Sequence, residues 1–521
     1  MAFVLIGFMG TGKSTAAREL GQRLGVVAAD SDMLLQERFG HPVAQEFELH
    51  GEQAFRAAEE EVVCELLARA GEGDVVALGG GSVLSERVRA ALASHVTVLL
   101  DVDAETCWRR VHKEGEPPKR PLAADRGAFM ALYAARAPLY DQLADAFVPS
   151  AEDAVRAADA LGALAEAVRV GGAPARLRLL WAHARSGDYP VWVGAGLLGE
   201  DGRVLHTVWP FAGGESRGFC VSDEHVRDLY AHRLGGIALT LALAPGEQSK
   251  TLAQAQHVWE ALASAGMTRA DHLVALGGGV VGDLAGFCAA TYQRGVPFVQ
   301  VPTTLVAQVD SAYGGKTGVD LPQAKNYVGA YHQPAAVIVD PQALATLPKA
   351  ELAAGWVEVL KTALIAGGAL WQAVAGGAVA DDDTILACAR TKLATVAADE
   401  RDEGRRQVLN LGHTVGHAIE TATGYARFRH GEAVGLGLLA ALRLSGQDDL
   451  RAQVAEMLRE RGLPVELRGA DVDAVLTALR RDKKRIGGDV PFVLLAAPGD
   501  VTYGHAVPTE QVRAAVAELT A

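Results

Sequence analysis

Short apolar runs alternate with amphipathic stretches over the first 150 residues. Segments 3–6, 75–78 and 96–100 read as buried strands, and the 3.6-residue periodicity between them reads as helices. The same alternation returns after residue 180, with strands predicted at 190–193, 237–243, 273–276 and 336–339. From Pro341 onward helical periodicity dominates, as in the Ala- and Leu-rich segments 432–444 and 452–461. Between the two α/β regions an Ala-rich run ends in Gly171-Gly172-Ala173-Pro174, which suits a hinge. The expected organisation is an α/β unit over 1–168, a linker over 169–180, a second α/β part over 181–340 and a mainly helical part over 341–521.

Composition narrows the function classes. Half of the 521 residues are apolar and a fifth are charged, as in a globular protein. A net charge of −14 argues against sequence-independent nucleic-acid binding, so an anionic ligand must meet locally clustered cations. Five scattered cysteines include no C-x-x-C pair, which points to reduced thiols rather than a disulfide frame or a zinc knuckle. No apolar stretch is long enough to span a bilayer, and the N-terminus enters a strand directly. The expectation is a cytoplasmic protein with small anionic substrates and no nucleic-acid or membrane partner.

Residues 7–14, Gly-Phe-Met-Gly-Thr-Gly-Lys-Ser, fit the G-x-x-x-x-G-K-[ST] pattern between a strand and a helix. Backbone N–H groups of Gly10, Thr11, Gly12, Lys13, Ser14 and Thr15 can cradle phosphates, Lys13 can reach the transferred group, and the Ser14 hydroxyl suits Mg²⁺. Asp30-Ser31-Asp32 belongs at a strand end near the phosphates, where one carboxylate can help hold Mg²⁺ and the other can meet an acceptor hydroxyl. Arg56, the Gly79-Gly80-Gly81 turn and Arg136 can frame a small anion. The ordered series D-x-D, G-E-x-x-F-R, L-G-G-G, K-R-P-L and R-x-P-L-Y resembles shikimate kinase. That resemblance implies transfer of the ATP γ-phosphate to the shikimate 3-hydroxyl. Asp32 would orient or deprotonate the hydroxyl, Arg56 and Arg136 would pair with the carboxylate, and Gly80 and Gly81 would admit the substrate. It also implies a lid over 113–126 that brings in Arg120, with Arg110, or its neighbour Arg109, against adenine.

The second half carries Glu247-Gln248-Ser249-Lys250 after a strand, and Gly277-Gly278-Gly279-Val280-Val281-Gly282-Asp283 in a strand–glycine–helix passage suited to a pyrophosphate. Thr303-Thr304, Asp310, Gly314-Gly315-Lys316 and Lys325-Asn326 follow. A single helix is expected over 405–421, with Arg406, Asn410, His413, His417 and Glu420 on one face. With Glu358, Lys361 and His430, these imidazoles suit a Zn²⁺ site with open positions, and spacing leaves open whether His413 and His417 both coordinate. The whole series resembles 3-dehydroquinate synthase from about residue 180 onward.

That resemblance implies Glu358, His413 and His430 as ligands to Zn²⁺ or Co²⁺, and leaves His417 for substrate or proton transfer. It further implies a pocket lined by Arg294, Asp310, Lys316, Lys325, Asn326, Lys361, Lys392, Arg406, Asn410 and one of Lys483 or Lys484. NAD would meet Glu247, Lys250, Gly278, Gly279, Asp283, Thr303 and Thr304, with Asp310, Lys316 and Lys325 also near the cofactor. Catalysis would draw on Lys316, Lys361 and His417. The implied reaction converts 3-deoxy-D-arabino-heptulosonate 7-phosphate to 3-dehydroquinate and phosphate with NAD regenerated, in a half that could form a homodimer. Tyr313, Trp356 and Val357 depart from the family pattern. Two other readings are a metal- and NAD-dependent alcohol or glycerol dehydrogenase for the second half, and a non-catalytic nucleotide-binding module for either half.

Overall fold

The computed structural model describes residues 1–112, 123, 125–149, 157, 160–162, 164–165, 178–200, 202–322, 324–486 and 491–520; the side chains of 44, 47, 203, 324 and 481–486 are outside that description. The chain forms two compact units, one of residues 1–181 with the short pieces 190–192 and 206–208, the other of the remainder. Most of the expected 169–180 linker and most of the expected lid lie outside the described residues, Arg120 among them.

In the first unit the strands β1 (Phe3–Ile6), β2 (Ala29–Asp30), β3 (Val75–Ala77), β4 (Val96–Asp101) and β5 (Ala146–Pro149) form a parallel sheet in the order β2-β3-β1-β4-β5. All four residues of β1 are buried, as a central parallel strand covered on both faces requires. Helix Lys13–Leu24 follows directly. It starts at Gly12, whose φ of 92° is left-handed and leaves the N-terminus without a side-chain cap, and it ends on Gly25 at φ 70°. Helix Val43–Arg69 is kinked at Gly51, where φ is 78° and ψ 171°, so that residues 52–69 form an arm of their own.

Strands β6 (Arg178–Ala182) and β7 (Tyr189–Val193) follow. In the second unit β8 (Gly218–Asp223), β9 (Ile237–Leu243), β10 (His272–Gly277), β11 (Phe298–Pro302) and β14 (Ala336–Val339) are parallel in the order β14-β11-β10-β8-β9. The antiparallel pair β12 (Lys316–Leu321) and β13 (Ala324–Tyr331) is separate from that sheet. The chain runs from β8 out to the edge strand β9 and back to β10, so the sheet changes winding direction between β8 and β10, where a crevice opens at the strand C-termini. Leu273, Ala275, Val281, Leu284, Phe287 and Phe298 pack helix Gly279–Thr291 onto the sheet.

Helices dominate from residue 349, and the chain adds a hairpin of β15 (Phe492–Ala497) and β16 (Asp500–His505). Helix His430–Leu444 is buried along most of its length and packs on helix His413–Ala422. The single helix expected over 405–421 is not formed. Residues Arg405–Asn410 make a 3₁₀ turn, Gly412 adopts φ 79°, and the α-helix starts at His413. Close packing explains the break: a Cβ on Gly412 would meet Leu438 Cδ2 at 2.9 Å and its N at 3.0 Å, and one on Gly416 would meet Ala433 O at 3.1 Å. Among the described residues, no helix is long and apolar enough to cross a membrane.

Candidate functional sites

In the first unit the phosphate loop leaves the C-terminal end of β1. Gly7, Gly10 and Gly12 have φ of 145°, 85° and 92°. A Cβ on Gly10 would also meet Cys107 O at 2.7 Å, so glycine is needed there for both space and dihedral. The buried Lys13 ammonium donates to the carbonyls of Gly7 (2.9 Å) and Phe8 (3.0 Å), which folds the side chain back over the loop. Ser14 and Thr15 are exposed at the first helical turn. Arg110 Nη1 donates to Gly10 O (3.4 Å) and Thr11 O (3.3 Å), whereas Arg109 turns back to Thr106 Oγ1 on its own helix (2.9 Å).

The D-x-D and triple-glycine segments meet beside this loop. Asp30 Oδ1 caps the next helix, accepting from Asp32 N (2.9 Å) and Met33 N (3.3 Å), and Ser31 Oγ accepts from Gly79 N at 2.8 Å. A Cβ on Gly79 would stand 2.5 Å from Asp32 Oδ1, and one on Gly80 would stand 3.3 Å from Met9 N of the phosphate loop. The Arg56 guanidinium lies over Gly81, where a Cβ would have to displace it. The Arg56 guanidinium donates to the buried Glu59 (2.6 Å), whose other oxygen accepts from Ser82 Oγ (2.8 Å). Buried Arg136 Nη1 donates to Gly80 O at 3.5 Å, and Tyr140 OH donates to the same carbonyl. Burial pushes the Tyr140 hydroxyl up to about 12, so it remains a donor. Asp32, Arg56, the glycine turn and Arg136 thus converge on the phosphate loop. Ser31 and Tyr140 stood inside the sequence motifs without a role of their own and Glu59 was not named, although Glu59 and Tyr140 stand three and four residues after Arg56 and Arg136, a helical spacing that could have found them.

In the second unit a cavity of about 910 Å³ lies at the crevice between β8 and β10. Gly278 caps helix Gly279–Thr291 without a side-chain hydrogen bond, leaving its N-terminal N–H groups toward the cavity. A Cβ on Gly278 would meet Thr304 Cγ2 at 2.8 Å, and one on Gly279 would meet Ser311 Oγ at 3.0 Å. Thr303 Oγ1 and Ser311 Oγ are buried on the cavity wall without a hydrogen-bond partner among the described residues. Lys250 Nζ donates to Asp283 Oδ2 (2.5 Å) and to Asn326 Oδ1, and Asn326 is held at φ 54°. Lys325 stands 3.7 Å from Glu247 and 3.2 Å from Glu420. Glu420, expected on the same face as His417, lines this wall with it, and Asp223, Ser311 and Tyr425 join without having been singled out from sequence.

Glu358, His413 and His430 bring one donor atom each within 4.8 Å of one another. Buried Glu358 comes from helix Lys349–Ala366, and the two imidazoles from the starts of helices His413–Ala422 and His430–Leu444. Neither Glu358 oxygen meets a well-aligned hydrogen-bond donor, although the Lys361 ammonium stands 2.5 Å from Oε2 as an ion pair. His430 Nε2 is 3.5 Å from Glu358 and its Nδ1 is 3.3 Å from Glu420, an arrangement in which one ring nitrogen faces the cluster and the other is oriented by a carboxylate. Burial pushes the His413 imidazole down to about 3, assisted by Lys361. Burial opposes a charged His430 too, but attraction to the neighbouring Glu358 and Glu420 carboxylates outweighs it and raises that imidazole to about 10. His417 is exposed on the cavity wall, with its ring centroid 5.2 Å from that of His413.

A string of charges runs inward from this cluster. Lys361 Nζ also meets Asp310 (2.6 Å), and Asp310 accepts from Lys392 as well. Burial alone would push the Asp310 carboxyl up, but the two ammonium groups hold it below the usual carboxylate range. Four expected pocket residues lie elsewhere. Lys316 is half-exposed and paired with Asp402, and Arg294 is exposed at φ 69°. Buried Arg406 donates to Glu400 O (2.6 Å) and Gly314 O (3.0 Å). Asn410 is exposed at the end of the 3₁₀ turn, so the break at Gly412 removes the shared face. Lys483 and Lys484 lie on helix Val472–Ile486 with side chains outside the described part. Buried Tyr313 donates to Gln308 O at 2.5 Å, Trp356 stacks under Arg461 with 3.4 Å between guanidinium carbon and ring centroid, and Val357 is buried.

By fold and site, the first unit is a P-loop phosphotransferase, and the second is an α/β protein with a glycine–helix cradle beside a Glu-His-His cluster. Comparison with known proteins makes both specific. Residues 9–164 match the shikimate kinase family model, and residues 240–354 and 355–485 match the N- and C-terminal models of 3-dehydroquinate synthase. The chain is 43% identical over 350 residues to the 3-dehydroquinate synthase of Halorhodospira halophila (strain DSM 244 / SL1), covering 64% of this chain and 97% of that protein. It is 42% identical over 360 residues to that of Caulobacter vibrioides (strain NA1000 / CB15N), covering 63% and 95%. A solved relative is ValA (2-epi-5-epi-valiolone synthase) from Streptomyces hygroscopicus subsp. jinggangensis 5008, determined with NAD⁺ and Zn²⁺ bound. It is 25% identical with a TM-score of 0.58, over 65% of this chain and 98% of that one. The chain belongs to the 3-dehydroquinate synthase family and carries a shikimate kinase unit ahead of it, making it a bifunctional shikimate-pathway enzyme.

Proposed function

We propose that each unit turns over through the residues gathered above: the first phosphorylates shikimate from ATP, and the second converts 3-deoxy-D-arabino-heptulosonate 7-phosphate to 3-dehydroquinate with NAD and a divalent metal. The observation that carries the synthase reading is the Glu358–His413–His430 cluster beside the helix-capped cavity. Its two nitrogens and one carboxylate fit Zn²⁺ or Co²⁺, and the buried Glu358 oxygens without aligned donors are what a cation would satisfy. The cradle fits a dinucleotide: the helix N-terminus at Gly278 has no side-chain cap, the two glycines let Thr304 and Ser311 pack against it, and Thr303 Oγ1 and Ser311 Oγ have no hydrogen-bond partner among the described residues. When bound, NAD supplies reversible hydride transfer and the metal supplies Lewis-acid polarisation of substrate hydroxyls.

The chain's own residues do the rest. Lys250, fixed by Asp283 and Asn326, sets a positive charge at the cradle. Asp310 holds the Lys361 and Lys392 ammonium groups together, a paired positive charge suited to a phosphate or carboxylate. His417, exposed on the wall, is the group that can exchange a proton with substrate.

In the kinase unit the Ser14 hydroxyl would hold Mg²⁺, with Asp30 contributing the oxygen that the helix cap leaves over. Lys13 would leave the carbonyls of Gly7 and Phe8 for the transferred phosphoryl group. Asp32 would take the shikimate hydroxyl proton while Arg56 and Arg136 hold its carboxylate.

The test is to incubate the purified chain with the heptulosonate phosphate, catalytic NAD and Zn²⁺, and separately with shikimate and Mg·ATP. Orthophosphate released without net NADH, together with shikimate-dependent ADP, is the expected pair of results. Accumulating NADH would instead favour an alcohol or glycerol dehydrogenase.

A further inference from the structure

Tyr425 has a costly backbone and an informative position. Helix His413–Ala422 ends in a turn where Gly424 has φ 65° and Tyr425 φ 57°, with Tyr425 N donating to Glu420 O at 2.8 Å. One left-handed residue suffices to terminate a helix, and Gly424 supplies it. A second, carrying an aromatic side chain, costs on the order of 1–3 kcal/mol and is not explained by capping. The ring it places lies under the Lys325 ammonium, 4.5 Å from centroid to Nζ, and its hydroxyl is tied to Thr421 Oγ1 at 2.9 Å. Lys325 in turn reaches Glu420, whose other oxygen orients His430.

We infer that Tyr425 is a positioning residue: its strained turn holds the ring that fixes Lys325 on the cavity wall, between the Glu247 side and the Glu420–His430 side. This rests on the synthase reading proposed above and deepens it. The ring face draws the ammonium by cation–π attraction and, being no counter-ion, holds it without adding to the negative charge of Glu420 and Glu247 with which an anionic substrate must compete.

The experiment compares the full chain with Tyr425→Phe, Tyr425→Leu and Tyr425→Gly. Phe keeps the ring and should hold KM for the heptulosonate phosphate within about twofold. Leu and Gly should raise it by about three- to tenfold, with kcat changed less, as expected for loss of one cation–π contact. The glycine variant relieves the dihedral, so its Tm should not fall even as KM rises, a divergence that a merely structural residue would not produce. Independently of turnover, the Lys325 ε-methylene protons should show an upfield ring-current shift in wild type and Phe that disappears in Leu and Gly. Unchanged KM in Leu and Gly, or no ring-current shift in wild type, overturns the assignment. Absence of synthase activity in wild type with the shift intact would instead count against the proposed reaction and leave the ring's placement of Lys325 standing.

Discussion

The kinase and synthase units build anion sites by opposite means. The kinase site is largely backbone: the loop N–H groups, three left-handed glycines and a triple-glycine turn, with Lys13 and Arg136 resting on carbonyl oxygens. The synthase site is largely side chain: a string from Lys392 through Asp310, Lys361 and Glu358 to His413 and His430, nearly all of it removed from water. A backbone cradle is neutral and can stand ready without its ligand. Buried ions must be paired, so that site depends on which charges are present and on what neutralises them.

Chelation separates the two most sharply. Stripping divalent metal and restoring only Mg²⁺ should drop synthase turnover to background while shikimate-dependent ADP formation persists. The same split is expected for His413→Ala, and equal loss in both assays would contradict it. The reverse split comes from Lys13→Ala, which should lower kinase kcat by about 10²–10³ and leave orthophosphate release at the wild-type rate. A subtler change probes the kinase side chains alone: Glu59→Gln removes the carboxylate that holds Arg56, and KM for shikimate should rise about tenfold, equivalent to ~1.4 kcal/mol. An unchanged KM would show that Arg56 orients without it.

The last effect is on stability rather than turnover, and it belongs to the synthase unit. His272 is buried, with an imidazole that burial holds down to about 4 against an ordinary value of 6.5, so the unfolded chain binds the extra proton first. Its contribution is therefore complete above about pH 6.5 and lost as pH falls toward 4. Urea unfolding should show a decline of about 1–3 kcal/mol over that window, flattened in His272→Gln.

Much of this was legible in the chain. Alternating apolar runs located seven of the strands but not β8 and β11, which flank β10 in the second sheet, and the Gly-Lys-Ser loop named its own structure because a phosphate cradle requires that glycine spacing. The cluster of Glu358, His413 and His430 came from family resemblance, since these residues lie as far as 72 positions apart (430 − 358 = 72) and spacing alone left His417 as a rival ligand. The failure was local: the helical spacing of Arg406, Asn410, His413, His417 and Glu420 joined residues 405–421 into one helix, whereas packing against Leu438 broke it at Gly412 and left Arg406 on backbone carbonyls.

Short-range chemistry was therefore the sequence's own contribution: strand and helix periods, caps, glycine turns, and the residue types that phosphate and metal demand. Which charges face one another was decided only in the tertiary structure. Asp310 between Lys361 and Lys392, Asp402 beside Lys316 and Tyr425 beneath Lys325 depend on where separate elements pack, and packing is a property of the assembled fold that no local spacing encodes.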